Sequence, residues 1–280
     1  MQTNYGIMKF RAKVYAKINL NLKITGMRGK MHTIDSLMHS VDIFDTVTMT
    51  VGESGVYMNG IESPDNIVCK VVEEYKKLNL PPIRFDIEKG IPMESGLGGS
   101  SADASCAIRL IERAFGETLN PMLFGSDVHF MLTGGLSRVE NVGESLTDYD
   151  PLDLILVVAK GTGGVSTKDA YSKFDEIGQK TEKDCVKLID FLKNKDYELA
   201  KDYLFNDLQS VSEIINPEVE RVVREMKKFT PCTLMSGSGS AVFGIFQNEE
   251  DAKDAFDYLS DKTEYVKVVR TKPFGIEFVD

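Results

Sequence analysis

The chain has no surplus of positive charge. Its 280 residues include 33 Lys and Arg against 43 Asp and Glu, a formal net charge of −10. A protein that binds nucleic acid or anionic lipid over a broad surface needs a basic face. We therefore expect neither nucleic acid nor a membrane as a partner, and any anionic ligand has to be held by a local site.

Cysteine and long apolar runs are also scarce. The sequence has four scattered cysteines and no CxxC pair, which argues against a zinc cluster or a disulfide framework. We therefore predict free, buried thiols and no metal-ligand set. No stretch reaches the roughly 20 apolar residues of a membrane span, and "MQTNYGIMKFRAKVYAKINL" lacks the apolar core of a signal peptide. We expect a cytoplasmic protein.

What the chain does have is enough apolar material for a core, with 42% hydrophobic residues and a length that suits one large or two modest domains. Its first third alternates as strands do, and the apolar run "LDLILVVAKG" reads as a buried strand. We place a domain boundary there, giving domains at 1–150 and 151–280.

The second half predicts helices at about 182–194, 196–204 and 217–228, then two strands, a helix and a last strand. This order indicates a split β-α-β domain. The expected fold class is therefore α+β.

A glycine-rich stretch, "PMESGLGGSSADASCAI" at residues 92–108, joins a strand pattern to a helix pattern. Glycine lets backbone N–H groups approach a ligand, and a helix start adds unpaired donors and partial positive charge, an arrangement that suits phosphate. Taken alone, the stretch is equally compatible with a plain tight turn. It is neither a P-loop nor a Rossmann loop, because no Lys follows the glycines as in G-x-x-x-x-G-K-[ST] and the spacing is not G-x-G-x-x-G.

The stretch is similar to the phosphate-binding motif P-x-x-x-G-L-G-S-S-A of the GHMP kinases. Further segments resemble one branch of that family in the same order along the chain: "AKINLNLKITGMR", "HTIDSLMHSVDIFDTV", "DNIV", "FGSDVHF", "GVSTKDAY", "NDLQ" and "MSGSGSAVFGIF". The resemblance implies a two-domain GHMP kinase fold, with a ribosomal protein S5 domain 2-like N-terminal domain and a ferredoxin-like C-terminal domain. The active site is then expected in the cleft between them.

The resemblance also implies a reaction. ATP is the expected phosphoryl donor, Mg²⁺ the expected cofactor, and in this branch the small-molecule acceptor carries a cytidine diphosphate group. A monomer or weak homodimer is expected.

Two residues are candidates for catalysis. Asp127 can accept the proton of the attacking hydroxyl, although its local sequence alone favours a turn or N-cap aspartate. The family places a lysine beside this aspartate, and Lys17 stands at that position; without the resemblance it would be a solvated strand lysine. Its charge would orient the carboxylate and lower the pKa of the hydroxyl.

The other candidate residues fall into two groups. The predicted ATP-binding residues come from a helix start and two small-residue loops: Asn66, Pro92, Gly96, Leu97, Gly98, Gly99, Ser100, Ser101, Ser236, Gly237, Ser238 and Gly239. In the branch a Tyr-His pair and a further aromatic surround the base, and here the pair reads Met31-His32 and the aromatic is Tyr171. The predicted acceptor-binding residues are Asn19, Met31, His32, Thr167 and Tyr171. Asn66 could equally be only a cap, the second loop only a bulged turn, and Asn19 and His32 only surface polar residues.

Two alternatives stay open. The acceptor could be another small alcohol such as homoserine or a mevalonate-like compound, or the chain could be a sensor that binds ligands without turnover. Intact Lys17 and Asp127 favour an enzyme, since a sensor has no need of a base.

Overall fold

The structure is a computed structural model that describes residues 8–279. Within this range thirteen strands form one connected sheet. In chain order they are β1 (Lys9–Asn19), β2 (Lys23–Arg28), β3 (Met31–Val51), β4 (Gly55–Met58), β5 (Ile61–Glu62), β6 (Ile83–Glu88), β7 (Leu136–Asn141), β8 (Ser145–Tyr149), β9 (Ile155–Lys160), β10 (Thr233–Met235), β11 (Ala241–Phe246), β12 (Tyr265–Lys272) and β13 (Ile276–Val279).

The same residues form nine α-helices. They are α1 (Ile67–Lys76), α2 (Gly99–Phe115), α3 (Ser126–Thr133), α4 (Thr167–Ile177), α5 (Lys187–Lys193), α6 (Tyr197–Ala200), α7 (Gln209–Ile215), α8 (Pro217–Met226) and α9 (Glu249–Ser260). No helix in residues 8–279 combines the length and the apolar character that crossing a bilayer would require. All four cysteines are free thiols, as expected, and three of them are buried.

The long strand β3 organises the first half of the fold. It spans 21 residues and pairs with β1, β2, β6, β7 and β12. Its pairing with β1 is antiparallel, with Lys17 opposite Ser40 and Asn19 opposite Met38. Helix α2 packs against β1 and β3 and adds buried residues such as Leu110 and Ile111 to the core. The carboxyl end of β1 therefore lies over the start of α2.

The second half confirms the predicted split β-α-β arrangement. Its strands lie in the order β10-β11-β9-β12, with α8 and α9 packed on them. This places the second, third, first and fourth strands side by side, which is ferredoxin-like. Strand β12 joins the first half through two residue pairs with β3, Thr271 with Val41 and Lys272 with Ser40. The predicted α+β class is confirmed, and the division at residue 150 stays a prediction.

Several predicted helices differ from those in the structure. The region 182–194 contains only α5, the region 196–204 contains α6 followed by a 3-10 turn, and α8 lies within 217–228. Three helices were not predicted, α3, α4 and α7. Each begins directly after a small-residue or polar segment that reads locally as a turn.

Candidate active site

A cavity of about 580 Å³ lies between residues of the two halves of the chain. Its lining includes residues from β1, the glycine-rich loop, α3, α4 and the second small-residue loop. The predicted site residues that line it together are Lys17, Asn19, Asn66, Pro92, Gly96, Gly98, Gly99, Ser100, Ser101, Asp127, Thr167, Tyr171, Gly237 and Ser238. Leu97, Ser236, Gly239, Met31 and His32 do not belong to this lining.

The glycine-rich loop has a backbone that its sequence requires. Gly96 and Gly98 have φ values of +73° and +78°, a region that side chains disfavour. A Cβ at Gly96 would lie 2.1 Å from the carbonyl oxygen of Ser236. Gly98 is the N-cap of α2 and supplies no side-chain cap, so the first N–H groups of the helix stay available for an anionic ligand.

The second loop, residues 236–239, braces the first one. The Ser236 hydroxyl donates to the Gly96 carbonyl at 3.1 Å and accepts from the Asn19 backbone N–H at 3.2 Å. Next to it, the Ala241 N–H donates to the Ser95 carbonyl at 3.0 Å. Ser236 therefore contacts both the glycine-rich loop and β1, although it does not itself line the cavity. Leu97 is likewise buried, and its carbonyl accepts from the Lys17 backbone N–H at 3.0 Å.

One segment that carries no predicted site residue holds the second loop. The Asn206 amide donates to the carbonyls of Met235 and Gly237 at 2.9 and 2.8 Å, and the Gln209 side-chain oxygen accepts from the Met235 N–H at 3.1 Å. Both residues belong to the "NDLQ" stretch. The resemblance of that stretch to the family was the sequence signal for both residues, but only the fold shows that the stretch lies against the second loop.

Lys17 and Asp127 meet in the cavity. The Lys17 Nζ lies 3.3 Å from Asp127 Oδ2, and only 4% of the lysine side chain is exposed. Asp127 lies in the first turn of α3, with Gly125 as the N-cap, so the local interpretation of Asp127 as a turn or N-cap residue was wrong. A negatively charged side chain in the first turn of a helix interacts favourably with the helix dipole.

Asn19 is engaged at both atoms of its amide. Its oxygen accepts from Lys17 Nζ at 2.5 Å, and its nitrogen donates to the Ser36 hydroxyl at 2.8 Å. The alternation of β1 places Lys17 and Asn19 on one side of the strand, as the sequence indicates. In this arrangement Asn19 orients the lysine, and Ser36, which the sequence did not single out, fixes Asn19.

Four of the predicted acceptor-binding residues, Met31, His32, Thr167 and Tyr171, lie on α4 and at the start of β3. Tyr171 lines the cavity, and burial raises the pKa of its phenol, with a smaller contribution from the Asp127 charge. The Thr167 hydroxyl lies 3.0 Å from the Ser238 hydroxyl. The His32 ring stacks on Tyr171 at 4.5 Å and 23°, and its Nε2 is 2.7 Å from Asp175 Oδ1. Met31 is 52% exposed.

At the other end of the cavity, Asn66 caps α1. Its side-chain oxygen accepts from the Val68 N–H at 2.9 Å, so only the amide nitrogen is left to contact a ligand. Met58, Ser63 and Asp65 line the same region. The capping interpretation and the ligand-binding interpretation of Asn66 are therefore compatible.

A buried ionic cluster lies beneath the glycine-rich loop. Lys89 Nζ contacts the Asp45 carboxylate and lies 2.8 Å from Asp103 Oδ2. Asp45 Oδ1 also accepts from the N–H groups of Gly90 and Ile91 at 2.7 and 2.8 Å. These three charged residues were missed, although Lys89 directly precedes the loop and Asp103 belongs to it.

In residues 8–279 no group of three or more His, Cys, Asp and Glu side chains is placed to hold a metal ion by itself. Mg²⁺ that is bound with a nucleotide keeps several waters and is held largely through substrate phosphates, so it does not require a protein cage of this kind. We assign no residue as its ligand.

Comparison with known proteins bears on this site. The GHMP kinases N terminal domain matches residues 66–128 and the GHMP kinases C terminal domain matches residues 188–264. A 4-diphosphocytidyl-2-C-methyl-D-erythritol kinase of Desulfitobacterium hafniense (strain Y51) is 36% identical over 276 residues, which cover 93% of this chain and 95% of that protein. The kinase of the same name from Lachnospira eligens is 32% identical, with 94% and 98% covered.

Solved structures share the fold. A 4-(cytidine 5'-diphospho)-2C-methyl-D-erythritol kinase superposes with a TM-score of 0.78 at 23% identity, covering 94% of this chain and 99% of that one. A homoserine kinase from Cytophaga hutchinsonii gives 0.68 at 15% identity, covering 97% of each chain. With a 36% identical relative that it matches over nearly the full length of both proteins, and with both domains of the family matched in order, the chain belongs to the GHMP kinase family of small-molecule kinases.

Proposed function

We propose that this kinase transfers the γ-phosphoryl group of ATP to the 2-hydroxyl of 4-diphosphocytidyl-2-C-methyl-D-erythritol, a step of non-mevalonate isoprenoid precursor synthesis. The observation that carries the chemistry is the Lys17–Asp127 ion pair in the same cavity as the glycine-rich loop. The acceptor is supported by the names of the relatives.

The glycine-rich loop and the start of α2 form the proposed phosphate site. Phosphoryl transfer depends mainly on positioning and on neutralising charge that develops on the phosphate oxygens. The N–H groups of Gly99, Ser100 and Ser101 lie in the uncapped first turn of α2, where they can donate to those oxygens. Mg²⁺, when bound with the nucleotide, adds charge neutralisation at the β- and γ-phosphates.

Asp127 is the proposed base. Its carboxylate takes the proton of the acceptor hydroxyl as the oxygen attacks phosphorus. Lys17, held by Asn19 at 2.5 Å, orients that carboxylate and favours the alkoxide character of the attacking oxygen. Because the lysine is buried beside the carboxylate, its charge acts with little screening by solvent.

Tyr171 is the proposed aromatic wall for the cytosine. Met31 and His32 are proposed to contact the same base, although neither belongs to the cavity lining and the His32 ring stacks on Tyr171. Their contact therefore requires that the acceptor extends past Tyr171 or that the His32 ring moves. Mg²⁺ as the metal, a cytoplasmic location and a monomeric or weakly dimeric state belong to the same proposal.

An ATP-consumption assay tests this function. The protein is incubated with MgATP and, separately, the cytidine diphosphate acceptor, homoserine and mevalonate, with Asp127→Asn as the inactive control. We expect turnover with the cytidine diphosphate acceptor alone. Turnover with homoserine or mevalonate instead would assign another GHMP kinase activity to the chain. Tight binding without any turnover would favour a sensor.

A further inference from the structure

The ionic cluster of Lys89, Asp45 and Asp103 adjoins the proposed phosphate site, and Lys89 and Asp103 belong to the lining of the same cavity. Lys89 follows β6, Asp45 is in β3 and Asp103 is in α2. Their side chains are 12%, 0% and 3% exposed. A Cβ on Gly99, the first residue of α2, would lie 3.4 Å from Lys89 Nζ. The charge of the cluster therefore acts at the start of α2, which would hold the phosphates.

The two carboxylates of the cluster are not equivalent. Asp45 is satisfied on both oxygens, by Lys89 and by the N–H groups of Gly90 and Ile91. Asp103 contacts Lys89 through Oδ2, while its buried Oδ1 has no hydrogen-bond partner among the described residues. Asp103 is therefore the carboxylate of the cluster that can be protonated, on Oδ1, without losing a hydrogen bond that it accepts.

Electrostatics point to the same residue. Burial raises the pKa of Asp103 to about 8, the Lys89 ammonium opposes this rise, and the Asp45 charge adds to it. The other titratable group that senses this charge is the Cys106 thiol in the same helix, whose pKa burial raises far above neutral, so it carries no charge. With Asp103 protonated the cluster is neutral, and with Asp103 ionised it has a net charge of −1.

We propose that Asp103 is a positioning residue for the nucleotide: it holds a proton while a nucleoside di- or triphosphate occupies the glycine-rich loop, so that each favours the binding of the other. An ionised Asp103 would place an uncompensated negative charge behind the phosphates, in a region of low dielectric. Coupling of this kind is reciprocal, so the phosphates must also favour the proton. The inference rests on the proposed use of the loop for a nucleotide.

Calorimetry with MgADP as the probe tests the coupling. Titrations at pH 7 to 9.5, each in buffers of different ionisation enthalpy, give the affinity and the number of protons taken up. We expect the affinity of the unaltered protein to fall about tenfold between pH 7 and pH 9, because the protonated fraction falls tenfold per pH unit above the pKa. Near pH 8 we expect a net uptake of protons on binding.

Asp103→Asn keeps the shape and removes the ionisation. We expect this variant to bind MgADP with an affinity that does not change from pH 7 to pH 9, and with no proton uptake at pH 8. Glu112→Gln is the matched control, since it makes the same chemical change on the same helix at a partly exposed position paired with Arg109. This control should keep the pH dependence of the parent.

The outcomes separate the two proposals. MgADP binding without proton uptake, or an equal pH dependence in parent and Asp103→Asn, would overturn the role of Asp103 and leave the kinase assignment intact. No MgADP binding at any pH would overturn the assignment of the loop and the inference with it. The proton count is measured on the unaltered protein, so a variant that fails to fold does not remove the test.

Discussion

Substitution of Gly98 by alanine tests whether the glycine-rich loop and Lys17 act as one unit. Gly98 has φ +78°, and a Cβ there would lie 2.5 Å from Met131 Cε, 3.2 Å from Lys17 Cγ and 3.3 Å from Lys17 Cε. The left-handed backbone alone costs about 1–2 kcal/mol for a residue with a Cβ. The same contacts would also displace the lysine that pairs with Asp127. Because small misplacements of reacting groups are costly, we expect turnover to fall at least tenfold.

Gly116 provides a matched control at the other end of α2. Its φ is +74°, and a Cβ there would meet nothing within 4 Å. Gly116→Ala should therefore lose the same ~1–2 kcal/mol of stability without a loss of turnover. Denaturant unfolding measures the first quantity, and steady-state kinetics with MgATP and the acceptor measure the second. Equal turnover in the two variants would refute the argument, because backbone strain would then be the only effect at Gly98.

Three further predictions address separate parts of the molecule. Asp127→Asn should lower turnover by at least ~10²-fold, as expected for a lost general base, with MgADP affinity by calorimetry largely kept; unchanged turnover would remove Asp127 from this role. Tyr171→Ala should raise the KM for the acceptor roughly tenfold to a hundredfold, the scale of one lost stacking contact, and equal competition by CMP and UMP in the parent would contradict a cytosine subsite. Burial lowers the pKa of His39 from 6.5 to about 4, so the unfolded chain takes up the proton at a higher pH than the folded protein does. Stability should therefore be full above pH 6.5 and fall by about 3 kcal/mol towards pH 4. Denaturant unfolding should show this fall reduced in His39→Gln.

Local patterns explain most of what the sequence could predict. The glycine-rich loop is recognisable because its backbone requires glycine at Gly96 and Gly98 and because a strand and a helix flank it. Lys17 and Asn19 fall on one side of β1 through the two-residue period of a strand. The order of helices and strands in the second half was sufficient for the split β-α-β topology. In the first two cases the information lies within one short segment of sequence.

Contacts between distant segments could not be predicted in this way. Lys89 and Asp45 are 44 residues apart, and Asn206 reaches the second loop from 29 and 31 residues away. The helix that carries Asp127 is only eight residues long and begins after Gly125, so the local signals favour a turn. Met31 and His32 were assigned by resemblance to a base site, yet their place depends on how β3 begins relative to α4, which no local pattern fixes.

Strand β3 connects the parts of the site that the sequence separates. Its first residues bring His32 to Tyr171, Ser36 lies below Asn19, and Asp45 anchors the entry to the glycine-rich loop. Each residue of a strand advances about 3.3 Å, so these contacts are spread along the acceptor, transfer and nucleotide regions rather than gathered at one point. Substitutions along one strand should therefore act on different kinetic quantities: the acceptor KM at His32, turnover at Ser36 and nucleotide affinity at Asp45. Because all three side chains belong to one strand, their spacing along it is set by backbone geometry, which suits the precise positioning that in-line transfer requires.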